Sequence, residues 1–274
     1  MIGGSSVGRR LLLVPAAIVL AAGPLTAQKP ANLDEARHLF YNAQYHASAE
    51  LALELQTLDP DDDLARDELR ASALLFQLRA LLEPPLRQET GGRTLESCAA
   101  CGDLLAAFTA STTHGQRLAR ARLAANPADK TALFFLGKLD LNYLWLQLGV
   151  LHRRTGWDEY WEARHSLDAV LKMDPRHVRA WVARAWIDYI VHTKMPWGAR
   201  WLLGGGNKKR ALVALHQAAA SDADFFAHAE AEFSLWDILV RERELAEATA
   251  VAERLAAKFP ANREVAMFLQ ANRR

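Results

Sequence analysis

"VRAWVARAWIDYIVH", residues Val178–His192, decides the fold. Val178, Trp181, Val182, Ala185, Trp186, Tyr189 and Ile190 recur at spacings of three and four, while Arg179, Ala183, Arg184, Asp188 and His192 take the other side. That period matches the α-helical turn and predicts one amphipathic helix. Similar faces recur at Leu33–Leu58, Leu64–Leu82, Leu104–Ala125, Trp161–Met173, Lys208–Ala220, Phe225–Val240 and Glu244–Phe259. No segment alternates apolar and polar residues between turn signals for long enough to make a strand, so the fold class predicted is all-α.

The ends of these segments repeat a pattern. "TLDP" closes at Pro60, "AANP" at Pro127, "KMDP" at Pro175 and "AKFP" at Pro260, each between two apolar-periodic stretches. Proline fits the first turn of a helix and not its interior, so the chain reads as helices joined in antiparallel hairpins. "TALFFLGKLDLNYLWLQLGVL" (Thr131–Leu151) is apolar on nearly every side. A bilayer is a poor home for it, because Lys138 and Asp140 would each cost about 2.5 to 3.5 kcal/mol near the membrane centre. Burial between neighbouring helices is expected, with Asp140 facing an arginine, histidine or tryptophan donor, since a submerged carboxylate needs compensation.

The chain has 274 residues, 51% of them apolar and 24% charged, enough for a sizeable core. Its 33 Lys and Arg nearly cancel 32 Asp and Glu, so the broad basic field of a nucleic-acid binder is missing and no nucleic-acid partner is expected. Arg9 and Arg10 precede the apolar run Leu11–Gly23, and Ala27 offers a small residue before a cut. Residues 1–27 therefore read as a signal peptide, leaving a periplasmic or extracellular chain from residue 28 to 274.

Within that chain the residues carry a resemblance to tetratricopeptide repeats. In "AQYHASAELALELQTLDP" (Ala43–Pro60), Ala43, Tyr45, Ser48 and Asp59-Pro60 sit where the repeat's second helix places its small residue, tyrosine, alanine and closing proline. After Pro127, Leu133, Leu136 and Gly137 match the large residue and leucine-glycine pair of a first helix; after Pro175, Trp181 and Ala185 do the same. The resemblance covers most of residues 31–274, with irregular spacing. It implies a tetratricopeptide-like αα-superhelix whose concave side, or a pocket between repeats, holds a protein or peptide. The export signal and a Gly-Gly-x-Lys-type turn at Gly205–Lys208 also resemble the tetratricopeptide-type periplasmic component of tripartite solute transporters, which implies a small apolar ligand instead.

"KMPWGARWLLGGGNKKRAL" (Lys194–Leu212) interrupts the helices. "GGGNKK" lacks the spacing and hydroxyl of a Walker loop and follows no strand, so it is no phosphate cradle. Gly204–Gly206 break the chain, and Asn207 is placed to cap the helix that follows. Trp197, Arg200, Trp201, Leu202, Leu203, Lys208 and Lys209 are the candidate partner-binding residues: the aromatic and basic mixture suits a protein surface or a peripheral contact with an anionic membrane face, and equally an inward cover over a hydrophobic groove. Seven of the eight tryptophans lie between Trp145 and Trp201, and Trp145, Trp181 and Trp186 are expected in the core.

Cys98 and Cys101 are expected to form a local disulfide in an exported chain, with the reduced form as the alternative. They share the first spacings of a zinc finger with His114, but the fourth ligand is missing. "EARH" occurs at Glu35–His38 and Glu162–His165, the Glu-x-x-His pattern of di-metal bundles, but such a site would need two further glutamates from two other helices, and the separation of the two segments argues against a shared site. No nucleophile and base stand at a recognisable spacing. The function expected is a non-catalytic scaffold for a protein or peptide partner, with no metal or cofactor; the alternative is a transporter-associated subunit holding a small apolar ligand.

Overall fold

Asn32 opens the first helix, its Oδ1 accepting the Glu35 backbone N–H at 2.9 Å. In the computed structural model, which describes residues 32–56, 59–82 and 94–272, helix α1 spans Leu33–Tyr41 and α2 spans Tyr45–Glu54. The signal peptide expected at residues 1–27 lies outside the described residues, as do Thr57, Leu58 and the side chain of Leu202. The single run read at Leu33–Leu58 is thus two helices. The Gln44 N–H donates to Leu39 O and the Ala43 N–H to Phe40 O, with Ala43 at a φ of 57°. This is the usual left-handed helix stop, built here without glycine.

The chain continues through α3 (Pro60–Leu82), a 3₁₀ turn at Leu95–Ser97, α4 (Cys101–Ala125), α5 (Lys130–Leu144), α6 (Trp157–Met173) and α7 (Val178–Lys194). The short α8 (Trp197–Leu202) precedes α9 (Lys208–Ala219), α10 (Phe225–Glu242), α11 (Leu245–Lys258) and α12 (Arg263–Asn272). The described residues contain no strand. Pro60, Pro127, Pro175 and Pro260 all fall at helix boundaries. Helices α8 and α12 had no apolar period long enough to be read from the sequence.

Packing follows a two-layer order. Helices α1, α3, α5, α7 and α10 neighbour one another in one layer, and α2, α4, α6, α9 and α11 flank them. Close approach between the layers depends on small residues. A Cβ on Gly137 of α5 would stand 2.7 Å from Leu167 Cγ of α6, so only glycine lets these two helices meet as they do.

Helix α7 is buried more fully than its pattern suggests. Ala183 and Asp188, assigned to the polar side, are buried, and Arg184 donates to Asp188 Oδ1 and to Asp168 Oδ1, both at 2.7 Å. The cause is position: α7 touches α5, α6, α9 and α10, so its charged side is covered and survives by ion pairing. Trp145, Trp181 and Trp186 are partly buried against the core.

Helix α5 is likewise enclosed, and Asp140 is 0% exposed. The arginine, histidine or tryptophan donor expected for it does not appear among its hydrogen bonds: Gln116 Nε2 donates to Oδ1 at 2.7 Å, and its charged neighbours are Glu162 and Arg120. Arg120, whose charge favours ionisation of Asp140, is itself paired with Glu162. Burial first, and then the Glu162 charge, push the Asp140 carboxyl up to about 9. It is therefore a neutral acid at physiological pH. Among the described residues no helix is long and apolar enough to cross a membrane.

Candidate functional site

The inner layer curves until its ends meet. Tyr41 of α1 stacks on Phe226 and Phe233 of α10, with ring centroids 6.1 and 5.4 Å apart. Asn262, at the start of α12, donates from Nδ2 to Tyr41 O at 2.7 Å, and Tyr45 Oη donates to Glu264 Oε1 at 2.8 Å. The first helical pair is thereby fastened to the last across more than two hundred residues of sequence. What remains inside is a cavity of about 140 Å³, walled on one side by Phe40, Tyr45 and Phe76 and on another by Tyr41, Phe226 and Phe233.

Charge lies against these rings. Lys138 Nζ is 2.5 Å from Glu230 Oε1 and 3.6 Å from Glu68 Oε1. Arg179 donates from Nε to Glu230 Oε2 at 2.6 Å and from Nη2 to Glu68 Oε2 at 3.2 Å. The four side chains, one each from α3, α5, α7 and α10, close a square of alternating sign. Ser72 Oγ donates to Glu68 Oε1 at 2.9 Å and is itself bonded by Asn142 Nδ2, also at 2.9 Å. Burial opposes ionisation of Glu230, but Arg179 and Lys138 outweigh it and hold its carboxyl down at about 2. The same carboxylates, Glu230 before Glu68, keep the buried Arg179 firmly protonated against its own desolvation.

Residues 194–210 form a second locus and divide it between inside and outside. Trp197 and Trp201, one turn apart on α8, are 86% and 82% exposed. Leu203, by contrast, is only 7% exposed and packs into the core, so of the candidate partner-binding residues it offers no surface. Its carbonyl accepts from Tyr160 Oη at 2.6 Å and from Arg164 Nη1 at 3.0 Å, which pulls the loop down onto α6. Lys208 forms an ion pair with Glu242, which also accepts from Tyr189 Oη. Arg200 is half-buried and donates from Nε to Met195 O at 2.9 Å. Lys209 is exposed.

The glycines explain how the loop turns back. Gly204 and Gly205 have φ of 73° and 72°. A Cβ on Gly206 would stand 2.5 Å from the His192 backbone nitrogen and 2.7 Å from Asp188 O, so bare backbone lies against α7 there. Asn207 Oδ1 then accepts the Arg210 N–H at 3.1 Å and starts α9. Asn207→Ala is expected to cost about 1 kcal/mol in urea unfolding, the usual value of a helix N-cap; an unchanged midpoint would show the cap to be dispensable.

The other sequence candidates separate in space. Cys98 and Cys101 are joined as a disulfide that links the 3₁₀ turn to the start of α4, and both are buried. Glu162 is committed to Arg120, while His165 stacks on Trp161. His38 packs among Phe225, Phe226 and Phe259, far along the fold from Glu162. Among the described residues no three His, Cys, Asp or Glu side chains are grouped to hold a metal ion.

The ionic square was not foreseen, because its members are scattered from Glu68 to Glu230. One signal pointed to it: Lys138 interrupts an otherwise apolar helix, and a lysine there needs buried carboxylates. Compared with protein-family models, with curated proteins and with solved structures, the chain matches none.

Proposed function

We propose that the protein is an exported, non-catalytic binding protein, built as a tetratricopeptide-like superhelix, that holds a small ring-sized ligand in its central pocket. The observation that carries this reading is the aromatic cavity closed between α1 and α10 over the Glu68, Lys138, Glu230 and Arg179 square. Its volume of about 140 Å³ is close to that of a cavity of about 150 Å³ that takes benzene. One ring or a short aliphatic body fits; a peptide strand does not. The aromatic walls suit an apolar body, and the charges beneath them give a polar end its orientation. Support for a binding role over a catalytic one comes from the charged groups themselves, which are tied to each other in ion pairs. The layered hairpins and the close approach at Gly137 support the repeat architecture.

Phenylacetate, benzylamine and benzyl alcohol offer one ring with an anionic, cationic or neutral end. At about a hundred times its Kd, a bound probe adds about 2.7 kcal/mol and raises Tm by about 5 to 10 °C in a chain of this size. Ser234→Leu, which places a larger side chain at the pocket wall, is expected to abolish the shift relative to its own unliganded Tm. The reading fails if no probe shifts the wild type, or if the filled variant responds equally.

A further inference from the structure

We propose that the Trp197 and Trp201 face is a docking surface for an anionic phospholipid membrane. Two indoles one helical turn apart share a face, and at 86% and 82% exposure they are the most exposed large apolar side chains among the described residues. They are held on a fixed platform. The Gly205 N–H donates to Arg200 O at 2.8 Å and the Gly204 N–H to Trp201 O at 3.1 Å, while Tyr160 and Arg164 clamp the Leu203 carbonyl. Docking therefore costs little ordering of the chain. The anchoring helix α6 carries two more half-exposed indoles, Trp157 and Trp161.

Charge selects the occupant. Between Lys194 and Arg210 the sequence has five cations and no acid. The two arginines are engaged within the fold, Arg200 on the Met195 carbonyl and Arg210 on Asp188, and Lys208 is paired with Glu242. That leaves exposed lysines, Lys194 and Lys209, which make no ion pair among the described residues. Lysine is depleted where proteins meet proteins, and free arginine is favoured there. Exposed indoles on α8 with exposed lysines on the flanking helices α7 and α9 instead match the headgroup region of an anionic bilayer, where tryptophan sits at the interface and each lysine adds attraction to the surface charge.

The test is sedimentation of the chain from Gln28 onward with phosphatidylcholine vesicles, with and without phosphatidylglycerol. This chain omits the apolar run Leu11–Gly23, and its residues from Ala31 on form a compact unit of their own. Binding is expected to be tighter on the anionic vesicles. Trp197→Ala/Trp201→Ala should weaken it at least about tenfold, with Tm unchanged because both side chains face solvent. Lys194→Gln/Lys209→Gln should weaken it on anionic vesicles by about fivefold per lysine and leave neutral vesicles unaffected. Equal binding by the double tryptophan variant, or no binding of the wild type to either vesicle, overturns the proposal. So does capture of an envelope protein through these tryptophans without vesicle affinity, which would assign the face to a protein partner. Neither result bears on the pocket, whose probes are read separately.

Discussion

Replacing Arg179 by methionine is expected to destabilise the fold by about 3 to 5 kcal/mol, the cost of removing one member of a buried ion pair. Arg179 neutralises both Glu68 and Glu230, and with it gone Lys138 alone faces two buried carboxylates. The loss comes from the stranded charge more than from the missing bonds. Arg179→Met/Glu230→Met should therefore recover much of the stability, because it leaves Lys138 and Glu68 as one pair in apolar surroundings. Urea unfolding of wild type, single and double variants reads this directly, and a double variant no better than the single would show that packing is what Arg179 supplies. The acid limb provides a second reading. Glu230 is held at about 2 in the fold, below its ordinary value near 4.3. Its contribution is thus complete above about pH 4.5 and lost as pH falls toward 2. In Arg179→Met the carboxyl loses its main counter-charge, so this acid-dependent stability should shrink.

Local features of the chain were legible for simple reasons. Proline boundaries and three-four spacing depend on neighbours in sequence, so the all-α class and most helix positions could be read directly. The stop at Ala43 could not, because an αL closure is normally announced by glycine or asparagine and here an alanine takes that conformation. The polar side of Val178–His192 was misassigned for another reason. Charge marks a solvated face only when nothing covers it, and α7 is covered by four helices. The same reason hid the pocket: Lys138 and Arg179 looked like a misfit and a surface residue until α3 and α10 brought Glu68 and Glu230 to them. The loop was half legible. Its aromatic and basic content singled out Trp197 and Trp201, but only the Tyr160 and Arg164 clamp decides that Leu203 turns inward while the indoles turn outward.

Asp140→Asn is expected to stabilise the protein, and by an amount that grows with pH. The fold holds this carboxyl protonated up to about pH 9, whereas the unfolded chain releases the proton near 3.9. Above about pH 4 the folded state binds the extra proton, so wild-type stability falls as pH rises through this window and levels off beyond 9. Asparagine carries no such penalty. Its carbonyl can accept from Gln116 as Oδ1 does now, and its amide can donate toward the Glu162 carboxylate that opposes ionisation of Asp140. At pH 7 the gain should be about 2 to 4 kcal/mol, bounded by three pK units at about 1.4 kcal/mol each; at pH 4 it should vanish. Glu162→Gln should reduce that gain, because Arg120 is then released from its partner and becomes available to Asp140. Denaturant midpoints for the two single variants and the double across pH 4 to 9 check both statements. A gain that does not change with pH, or a loss at pH 8, would mean that Asp140 is ionised in the fold and that a partner beyond Gln116 compensates its charge.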